Sequence, residues 1–236
     1  MTGPVLRLSR TAFPVTTLGP GTRLVVWTQG CPLACRGCMS LDTWDPAGGV
    51  EVAVDTVTQT WRAAIGQGAT GLTISGGEPL AQPAALGELL AAADRIRREV
   101  PAAGGSAAGR EPDLLVYTGY EEAELDGPAA AALEHADAVI TGRFDVSRPT
   151  DLIWRGSANQ RLLPRTPLGR RRYGRYVDHA PPRSPLHVEV AGDGVRIIGV
   201  PRRSELARIE RRVREQVAVT GATWRPWTQP PSQTTP

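Results

Sequence analysis

The three cysteines of this chain, Cys31, Cys35 and Cys38, lie close together, and the sequence contains no others. An odd and tightly grouped set of cysteines is unsuited to a disulfide framework but typical of a metal site. Thiolates are the natural ligands of iron–sulfur clusters, and these spacings can direct three thiolates to three corners of a cubane. The sequence therefore predicts a 4Fe–4S cluster held by these three residues.

The absence of a fourth cysteine changes what such a cluster can do. An electron-carrier cluster usually has four protein ligands, whereas here one iron must take another ligand. An open coordination position is where a metal centre can bind a substrate or cofactor. A zinc site completed by a histidine is an alternative, but His135, His179 and His187 do not stand at zinc-finger spacing from the cysteines. A simple electron carrier is the other alternative, and it lacks the fourth ligand.

The composition is that of a globular protein with one main domain and room for a small appendage. The chain has 236 residues, of which 41% are hydrophobic, and its formal net charge is +3. No apolar run is long enough to cross a membrane, and the N-terminus has no hydrophobic core followed by a cleavage site. We therefore expect a cytoplasmic protein without a membrane partner, in a compartment where thiols stay reduced.

Strand and helix signals alternate along much of the chain. Strands are predicted at residues 23–27, 72–74, 114–117 and 138–140, and helices at 51–67, 86–100 and 121–135. This order predicts an α/β fold whose parallel strands are joined by right-handed crossovers. Functional residues of such sheets gather at the carboxyl ends of the strands. The cysteine loop, the turn at 75–79 and the segment 118–120 all follow strands, so we expect them to meet.

The turn at residues 75–79 has the sequence Ser-Gly-Gly-Glu-Pro. Its glycines would allow the backbone to approach a ligand closely, and the carboxylate of Glu78 suits an ammonium group. Together with the cysteine spacing, this turn resembles the radical S-adenosylmethionine (SAM) superfamily. The resemblance implies that the open iron chelates the methionine part of SAM and that Gly76, Gly77 and Glu78 bind its amino group.

A narrower resemblance is to the activating enzymes of glycyl-radical enzymes, and among these to the anaerobic ribonucleotide reductase activases. It rests on segments in the family order, at residues 19–23, 29–31, 43–44, 117–120, 141–144 and 152–160. It implies a partial (β/α)6 radical SAM barrel as a core domain over residues 1–165. It also places Thr118, Gly119 and Arg143 near the SAM pocket, although an arginine such as Arg143 is equally typical of a surface ion pair.

The sequence departs from the family pattern at three positions. The residue after the third cysteine is commonly aromatic in the family but is Met39 here. Its flexible thioether can still cover the adenine of SAM, so the resemblance keeps Met39 in the SAM-binding set. Glu78 stands where the reductase activases have an aspartate, and Thr141 stands where another aspartate is expected.

The function implied by the resemblance is reductive cleavage of SAM to a 5′-deoxyadenosyl radical, which removes a hydrogen atom from a substrate. For an activase that substrate is a backbone glycine of a partner glycyl-radical enzyme. The alternatives are a tailoring enzyme for a small metabolite or a ribosomal peptide, and a non-catalytic iron–sulfur carrier. An electron donor such as flavodoxin or ferredoxin is a further expected partner.

Residues 166–236 form a predicted C-terminal extension of different composition. We expect an Arg-rich solvated linker, a β-hairpin around residues 192–194, an amphipathic helix over 204–219 and a loose tail. The arginines are compatible with a nucleic acid or an acidic protein partner, but two interleaved tyrosines are too few to favour nucleic acid. Under the tailoring hypothesis, this extension would gate the substrate.

Overall fold

The computed structural model describes residues 3–99, 111–191, 194–202, 205, 207–209 and 211–212. The strands are β1 (Val5–Val15), β2 (Arg23–Thr28), β3 (Val50–Ala53), β4 (Gly71–Gly76), β5 (Asp113–Tyr117), β6 (Ala138–Thr141), β7 (Arg161–Pro164), β8 (Leu186–Ala191) and β9 (Gly194–Gly199). The helices with defined bounds are α1 (Val54–Gly66), α2 (Pro83–Glu99), α3 (Gly127–Ala132) and α4 (Pro167–Tyr173). No helix within these ranges is both long and apolar enough to cross a membrane.

Seven strands form one mixed sheet in the order β3-β1-β2-β4-β5-β6-β7. The neighbouring strands β2, β4, β5 and β6 run parallel, and they are the four strands that the sequence predicts. β1 and β3 pair antiparallel at one edge and β7 at the other, and the sequence analysis predicts none of these three. Thr28 pairs with Gly76, so the loops that follow β2 and β4 start side by side. The α/β class is confirmed.

One face of the sheet buries helices α1 and α2. Because side chains alternate along a strand, Leu24 and Val26 of β2 point to the same face, where they join the apolar core with both helices. Trp61 of α1 is fully buried, and its Nε1–H donates to the carbonyl oxygen of Ala93 in α2 over 3.2 Å. Both helices are confirmed, although the residues from Glu51 that were predicted to begin the first one belong to β3.

The third predicted helix, over residues 121–135, is much shorter in the structure. A 3-10 turn at Glu122–Glu124 comes first, and α3 has only 6 residues. The interruption has a local cause, because Gly127 has a φ of +42° and Pro128 follows it. Proline has no N–H with which to continue a preceding helical turn. The prediction of one continuous helix is therefore wrong.

The opposite face of the sheet is covered by residues that follow β6 in the chain. Trp154 and Tyr173 pack there against Leu115 of β5, and Ile198 of β9 packs against Val25 of β2. The segment predicted as a solvated linker therefore includes a helix, α4, that contributes to a buried core.

Helix α4 has local signals that the sequence analysis did not use. Thr166 is its N-cap, and its hydroxyl oxygen accepts a 3.0 Å hydrogen bond from the N–H of Gly169, with Pro167 in the first turn. Leu168 and Tyr173 are buried. The linker prediction is wrong for this segment. The helix was missed because a helix this short shows no clear period of 3.6 residues in the sequence.

A buried ion pair joins α4 to the amino ends of the parallel strands. Arg23 of β2 and Asp113 of β5 are fully buried, with 2.7 Å between Nη2 and Oδ1. Helix α4 adds Arg172, 2.8 Å from the same carboxylate, and the hydroxyl of Tyr173, which donates to it. Burial alone would lower the pKa of Arg23, but the charge of Asp113 holds that pKa above its ordinary value.

The predicted C-terminal hairpin is confirmed. β8 and β9 pair antiparallel, with Val188 opposite Ile197, as a separate two-stranded sheet. The hydroxyl of Thr17 donates a 2.9 Å hydrogen bond to the carbonyl oxygen of Ile198, which fixes the hairpin to the main sheet. The described residues between 205 and 212 are helical. The rest of the predicted helix over 204–219, and the tail, lie outside the described residues.

Candidate functional site

The loop that carries the cysteines begins directly after β2 and is closed at its base. Gly30 and Cys31 donate their N–H groups to the carbonyl oxygens of Thr43 and Trp44, over 2.8 and 3.1 Å. The side-chain amide of Gln29 donates to two further carbonyl oxygens on the returning segment. The two ends of the loop are therefore fixed to each other.

All three cysteines are free thiols and partly exposed. The N–H of Cys38 donates to the carbonyl oxygen of Cys35 over 3.1 Å, and the Cys38 sulfur accepts a 3.4 Å hydrogen bond from the N–H of Ser40. In the part of the chain that the structure describes, no three His, Cys, Asp or Glu side chains are grouped closely enough for a metal ion. A cubane is a larger object than one ion, and its ligands lie at separate corners.

The electrostatics of the thiols fit a cationic ligand. Burial raises the pKa of Cys31 and of Cys35, and the neighbouring Cys38 raises both further. Backbone hydrogen bonds at Leu33, for Cys31, and at Phe144, for Cys35, offset only part of this effect. Burial therefore outweighs the groups that favour the thiolates of Cys31 and Cys35, among them the charge of Arg143 at Cys35, whereas ligation to iron would stabilise the thiolates by replacing the protons. The donor set fits the predicted cluster.

The two glycines of the turn after β4 are required by the protein's own backbone. Gly76 has a φ of +114°, and a Cβ on it would overlap the backbone nitrogen of Thr28. A Cβ on Gly77 would overlap the carbonyl oxygen of Gly30, at the base of the cysteine loop. The N–H of Glu78 donates to that same oxygen over 2.8 Å. The glycines therefore let the turn pack on the cysteine loop, a role that the sequence analysis, which assigned them to a ligand, did not foresee.

The carboxylate of Glu78 is buried, with 1% exposed, and it already has three donors. Oε1 accepts hydrogen bonds from the N–H of Leu80 and the hydroxyl of Thr118, over 2.9 and 2.8 Å, and Oε2 accepts one from the N–H of Gly119 over 2.7 Å. Burial raises the pKa of Glu78, and these donors offset part of that effect. Glu78 thus joins the turns after β4 and β5. Its binding of an ammonium group stays a prediction and would have to use the remaining lone pair.

Thr118 and Gly119 lie beside the cysteine loop, as the sequence analysis expects. The side chain of Leu33, inside the cysteine motif, packs so close to Gly119 that a Cβ there would overlap it. The N–H of Thr118 donates to the carbonyl oxygen of Ile140 over 2.8 Å, which fixes the turn to β6. Leu33 was not among the predicted site residues, and its position between two cysteines is the one signal that could have indicated it.

Arg143 makes the surface ion pair that the sequence analysis left open as an alternative. Its guanidinium contacts both carboxylate oxygens of Glu124, at 2.6 and 2.9 Å, and lies 5.6 Å from the ring centre of Tyr120. The hydrogen bonds from Arg143 lower the pKa of Glu124 to about 2. The positive charge of Arg143 also lowers the pKa of Cys35, although burial raises that pKa overall. Its contact with SAM stays a prediction.

The segment 152–160 orders the loop that carries Arg143. The side-chain amide of Asn159 donates to the carbonyl oxygen of Arg143 over 2.8 Å, and that of Gln160 donates to the carbonyl oxygen of Gly142 over 3.0 Å. These two amides therefore hold the consecutive carbonyl groups of Gly142 and Arg143 in place.

Met39 is partly buried and lies at the wall of a cavity. Together with Phe144 it lines a cavity whose other walls come from the loop after β6 and from the C-terminal extension. Thr118 and Gly119 do not line this cavity. The contact of Met39 with the adenine of SAM stays a prediction.

The fold and the three-thiol loop define an iron–sulfur protein with one cluster, and residues 17–163 match the model of a family described as a 4Fe-4S single cluster domain. An anaerobic ribonucleoside-triphosphate reductase-activating protein from Haemophilus influenzae is 35% identical over 147 residues, which cover 60% of this chain and 87% of that protein. The protein of the same name from Vibrio cholerae is 33% identical over 155 residues, which cover 63% and 92%. The chain therefore belongs to the radical SAM family of anaerobic ribonucleoside-triphosphate reductase-activating proteins.

Among solved structures, the crystal structure of QueE from Escherichia coli matches with a TM-score of 0.37 and 14% identity, over 61% of this chain and 73% of that chain. The family predicted from the motifs is confirmed by the sequence relatives. With it, a radical enzyme that uses a 4Fe–4S cluster and SAM is confirmed.

Proposed function

We propose that this chain activates an anaerobic ribonucleoside-triphosphate reductase by generating a radical on a backbone glycine of that partner. The observation that carries the proposal is the contact between the two motifs. The N–H of Glu78, in the glycine turn, donates to the carbonyl oxygen of Gly30 at the base of the cysteine loop. The relatives, matched over 87% and 92% of their own length, are named for activation of that reductase.

A 4Fe–4S cluster held by the cysteine loop would supply the one electron for reductive cleavage of SAM, the chemistry by which a hydrogen atom would be removed from the glycine. The chain's own residues bind and orient the reactants. Cys31, Cys35 and Cys38 hold the cluster through three thiolates. Because the chain has no fourth cysteine, one coordination position is left for SAM.

The turns after β4 and β5 form the proposed binding site for the methionine end of SAM. Gly76, Gly77 and Glu78 bind its amino group, and Thr118 and Gly119 form the adjoining wall. Support comes from the hydrogen bonds that gather these residues around one buried carboxylate. That carboxylate has three donors and capacity for one more.

Arg143 and Met39 complete the proposed SAM site. Arg143 pairs with the carboxylate of SAM, for which it must leave Glu124. Both partners of that ion pair are about 40% exposed, so the exchange costs little. Met39 covers the adenine, in line with its place next to the third cysteine.

We propose that residues 1–165 form a partial (β/α)6 barrel and that residues 166–236 are an extension of it. An external one-electron donor, flavodoxin or ferredoxin, would reduce a cluster held there, and the partial exposure of the three cysteines supports access for such a donor. A reducing, cytoplasmic environment suits three free thiols. The names of the relatives favour the activase over the tailoring enzyme.

The test is anaerobic reconstitution of the chain with iron and sulfide, followed by SAM, dithionite and the anaerobic reductase of the same genome. We expect 5′-deoxyadenosine by chromatography and a glycyl radical doublet on the reductase by electron paramagnetic resonance. Cys35→Ala removes one of the three thiols and should lose the iron and both signals. An intact cluster that yields 5′-deoxyadenosine but no radical on the reductase would contradict the activase role.

A further inference from the structure

The side-chain amide of Gln82 lies between two strands of the main sheet. Gln82 follows the glycine turn and directly precedes α2, yet its amide reaches Arg7 of β1 and Gln29, the first residue after β2. Its Oε1 accepts a 2.7 Å hydrogen bond from the N–H of Arg7. Its Nε2 donates to the carbonyl oxygens of Arg7 and Gln29, over 3.1 and 3.2 Å. Because the N–H of Arg7 can only donate, these partners fix the orientation of the amide.

This amide stands where β1 and the end of β2 would otherwise bond to each other directly. Leu8 pairs with Thr28 in the antiparallel ladder, and the N–H of Gln29 donates to the carbonyl oxygen of Arg7 over 2.9 Å. Such a pair normally exchanges two hydrogen bonds. The second one would join the N–H of Arg7 to the carbonyl oxygen of Gln29, and both groups bond to Gln82 instead. The side chain therefore marks the point at which the cysteine loop separates from β1.

The backbone of Gln82 is itself held on both sides. Its N–H donates to the carbonyl oxygen of Pro79 over 3.1 Å, and its own carbonyl oxygen accepts from the N–H of Leu86, in α2, over 2.9 Å. The side chain is partly buried, and Gln29 opposite it is only 4% exposed. An amide with three hydrogen bonds on a fixed backbone has few conformations open to it. It therefore sets the distance between the groups that it joins.

The carbonyl groups that follow β2 are bound by residues on both sides of Pro79. The N–H of Glu78 donates to the carbonyl oxygen of Gly30 over 2.8 Å, and Nε2 of Gln82 donates to that of Gln29 over 3.2 Å. The first cysteine follows Gly30 directly. Two successive peptide groups before that cysteine thus take their positions from the segment that carries the glycine turn.

We infer that Gln82 is a positioning residue, which sets where Cys31 stands relative to the glycine turn. The inference rests on the proposed function, in which SAM spans a cluster on the cysteine loop and the turn at residues 76–78. A site made of two halves binds its ligand well only if the halves keep their spacing. Glu78 offers a polar group to that site, whereas Gln82 bonds within the protein and acts through the loop.

The first test is Gln82→Met, which keeps a similar side-chain length but removes the amide. Gln59→Met is the matched control, because Gln59 is exposed on α1. We expect Gln82→Met to weaken the binding of labelled SAM to the reconstituted protein by about five- to tenfold, measured by equilibrium dialysis and expressed per loaded cluster. Iron per chain should stay near that of the control, because all three cysteines lie on one loop and move together.

A second measurement uses the chain without iron. In Gln82→Met, the N–H of Arg7 and the carbonyl oxygen of Gln29 lose their partner, so the start of the cysteine loop should open. Alkylation of Cys31 by iodoacetamide, followed by mass spectrometry, should become several-fold faster relative to that of Cys38. If Gln82→Met does not fold, Gln82→Asn takes its place in both measurements, because its amide is one methylene group too short to reach both strands.

A SAM affinity equal to that of Gln59→Met, with unchanged alkylation of Cys31, would overturn the inference. A loss of iron with normal SAM affinity for the remaining clusters would overturn it as well, because that result indicates support of the fold alone. An unchanged chain that binds SAM but forms no glycyl radical on the reductase would instead overturn the proposed function, and the difference in SAM affinity between the two variants would stand.

Discussion

Glu78 accepts a 2.7 Å hydrogen bond from the backbone N–H of Gly119, which ties the turn after β4 to the turn after β5. The N–H of Glu78 itself donates to Gly30, at the start of the cysteine loop. Loops from three neighbouring strands are thus joined by bonds within the protein. The proposed SAM site would therefore be in place before SAM binds, because these polar groups have their partners within the protein.

Glu78→Gln should destabilise the fold and weaken SAM binding together. The amide group of Gln must oppose either the N–H of Leu80 or that of Gly119, since both oxygens of Glu78 accept from backbone donors. A buried donor left without an acceptor costs about 1–3 kcal/mol. Urea unfolding followed by circular dichroism measures this cost, and exposed Glu88→Gln is the matched control. Equal unfolding midpoints for the two variants would refute this role.

Gly77→Ala should reduce the iron content, because its Cβ would overlap the carbonyl oxygen of Gly30 and displace the cysteine loop. Overpacking of this kind costs about 1–3 kcal/mol. Gly66→Ala is the control, because Gly66 ends α1 with open space around it, and alanine there should be neutral or stabilise by up to about 1 kcal/mol. Gly77→Ala should lower both the iron per chain after reconstitution and the free energy of unfolding, whereas Gly66→Ala should lower neither.

Asp113→Asn should be the most destabilising of these changes, by about 3–5 kcal/mol, because it leaves the buried guanidinium of Arg23 without its countercharge. Glu99→Gln removes an exposed partner of Arg62, 3.0 Å away, and should change stability by no more than about 1 kcal/mol. Thermal unfolding of both variants gives the comparison. Similar losses of stability in the two variants would mean that the carboxylate of Asp113, shared by Arg23 and α4, does not stabilise the fold.

Glu124→Gln should tighten SAM binding a few-fold, because it frees Arg143 from a bidentate ion pair. The pKa of Glu124 is lowered to about 2 by its hydrogen bonds with Arg143. The carboxylate is thus ionised at neutral pH, and its ion pair is lost only as the pH falls through that value. The gain in affinity, measured by equilibrium dialysis with labelled SAM, should therefore be the same across the neutral range. Arg143→Gln should abolish the gain, and an unchanged affinity in Glu124→Gln would argue against a contact between Arg143 and SAM.

The sequence predicts the central parallel strands and the meeting of the three loops, because both depend on local signals. Compact apolar runs mark β2, β4, β5 and β6, and parallel strands bring their carboxyl ends together. Edge strands lack such signals. β1 has an irregular burial pattern with a proline near its end, and β7 has four residues that include a proline.

The partners of the site residues could not be predicted, because they are distant in the sequence. The donors to the carboxylate of Glu78 include Thr118 and Gly119, about forty residues later. Glu124, which engages Arg143, lies on a 3-10 turn inside a segment predicted to be helical. A motif indicates which residues are near a cofactor, whereas their hydrogen bonds depend on the register of the whole sheet.

The shared carboxylate of Asp113 has a consequence for how this branch of the family could evolve. Arg23 and Asp113 belong to the region common to the relatives, while Arg172 and Tyr173 come after it. A recombination that replaced the C-terminal part would have to supply new partners for the buried carboxylate of Asp113 in place of Arg172 and Tyr173. The sheet and helix α4 therefore depend on each other through one carboxylate, and changes in either are constrained by the other.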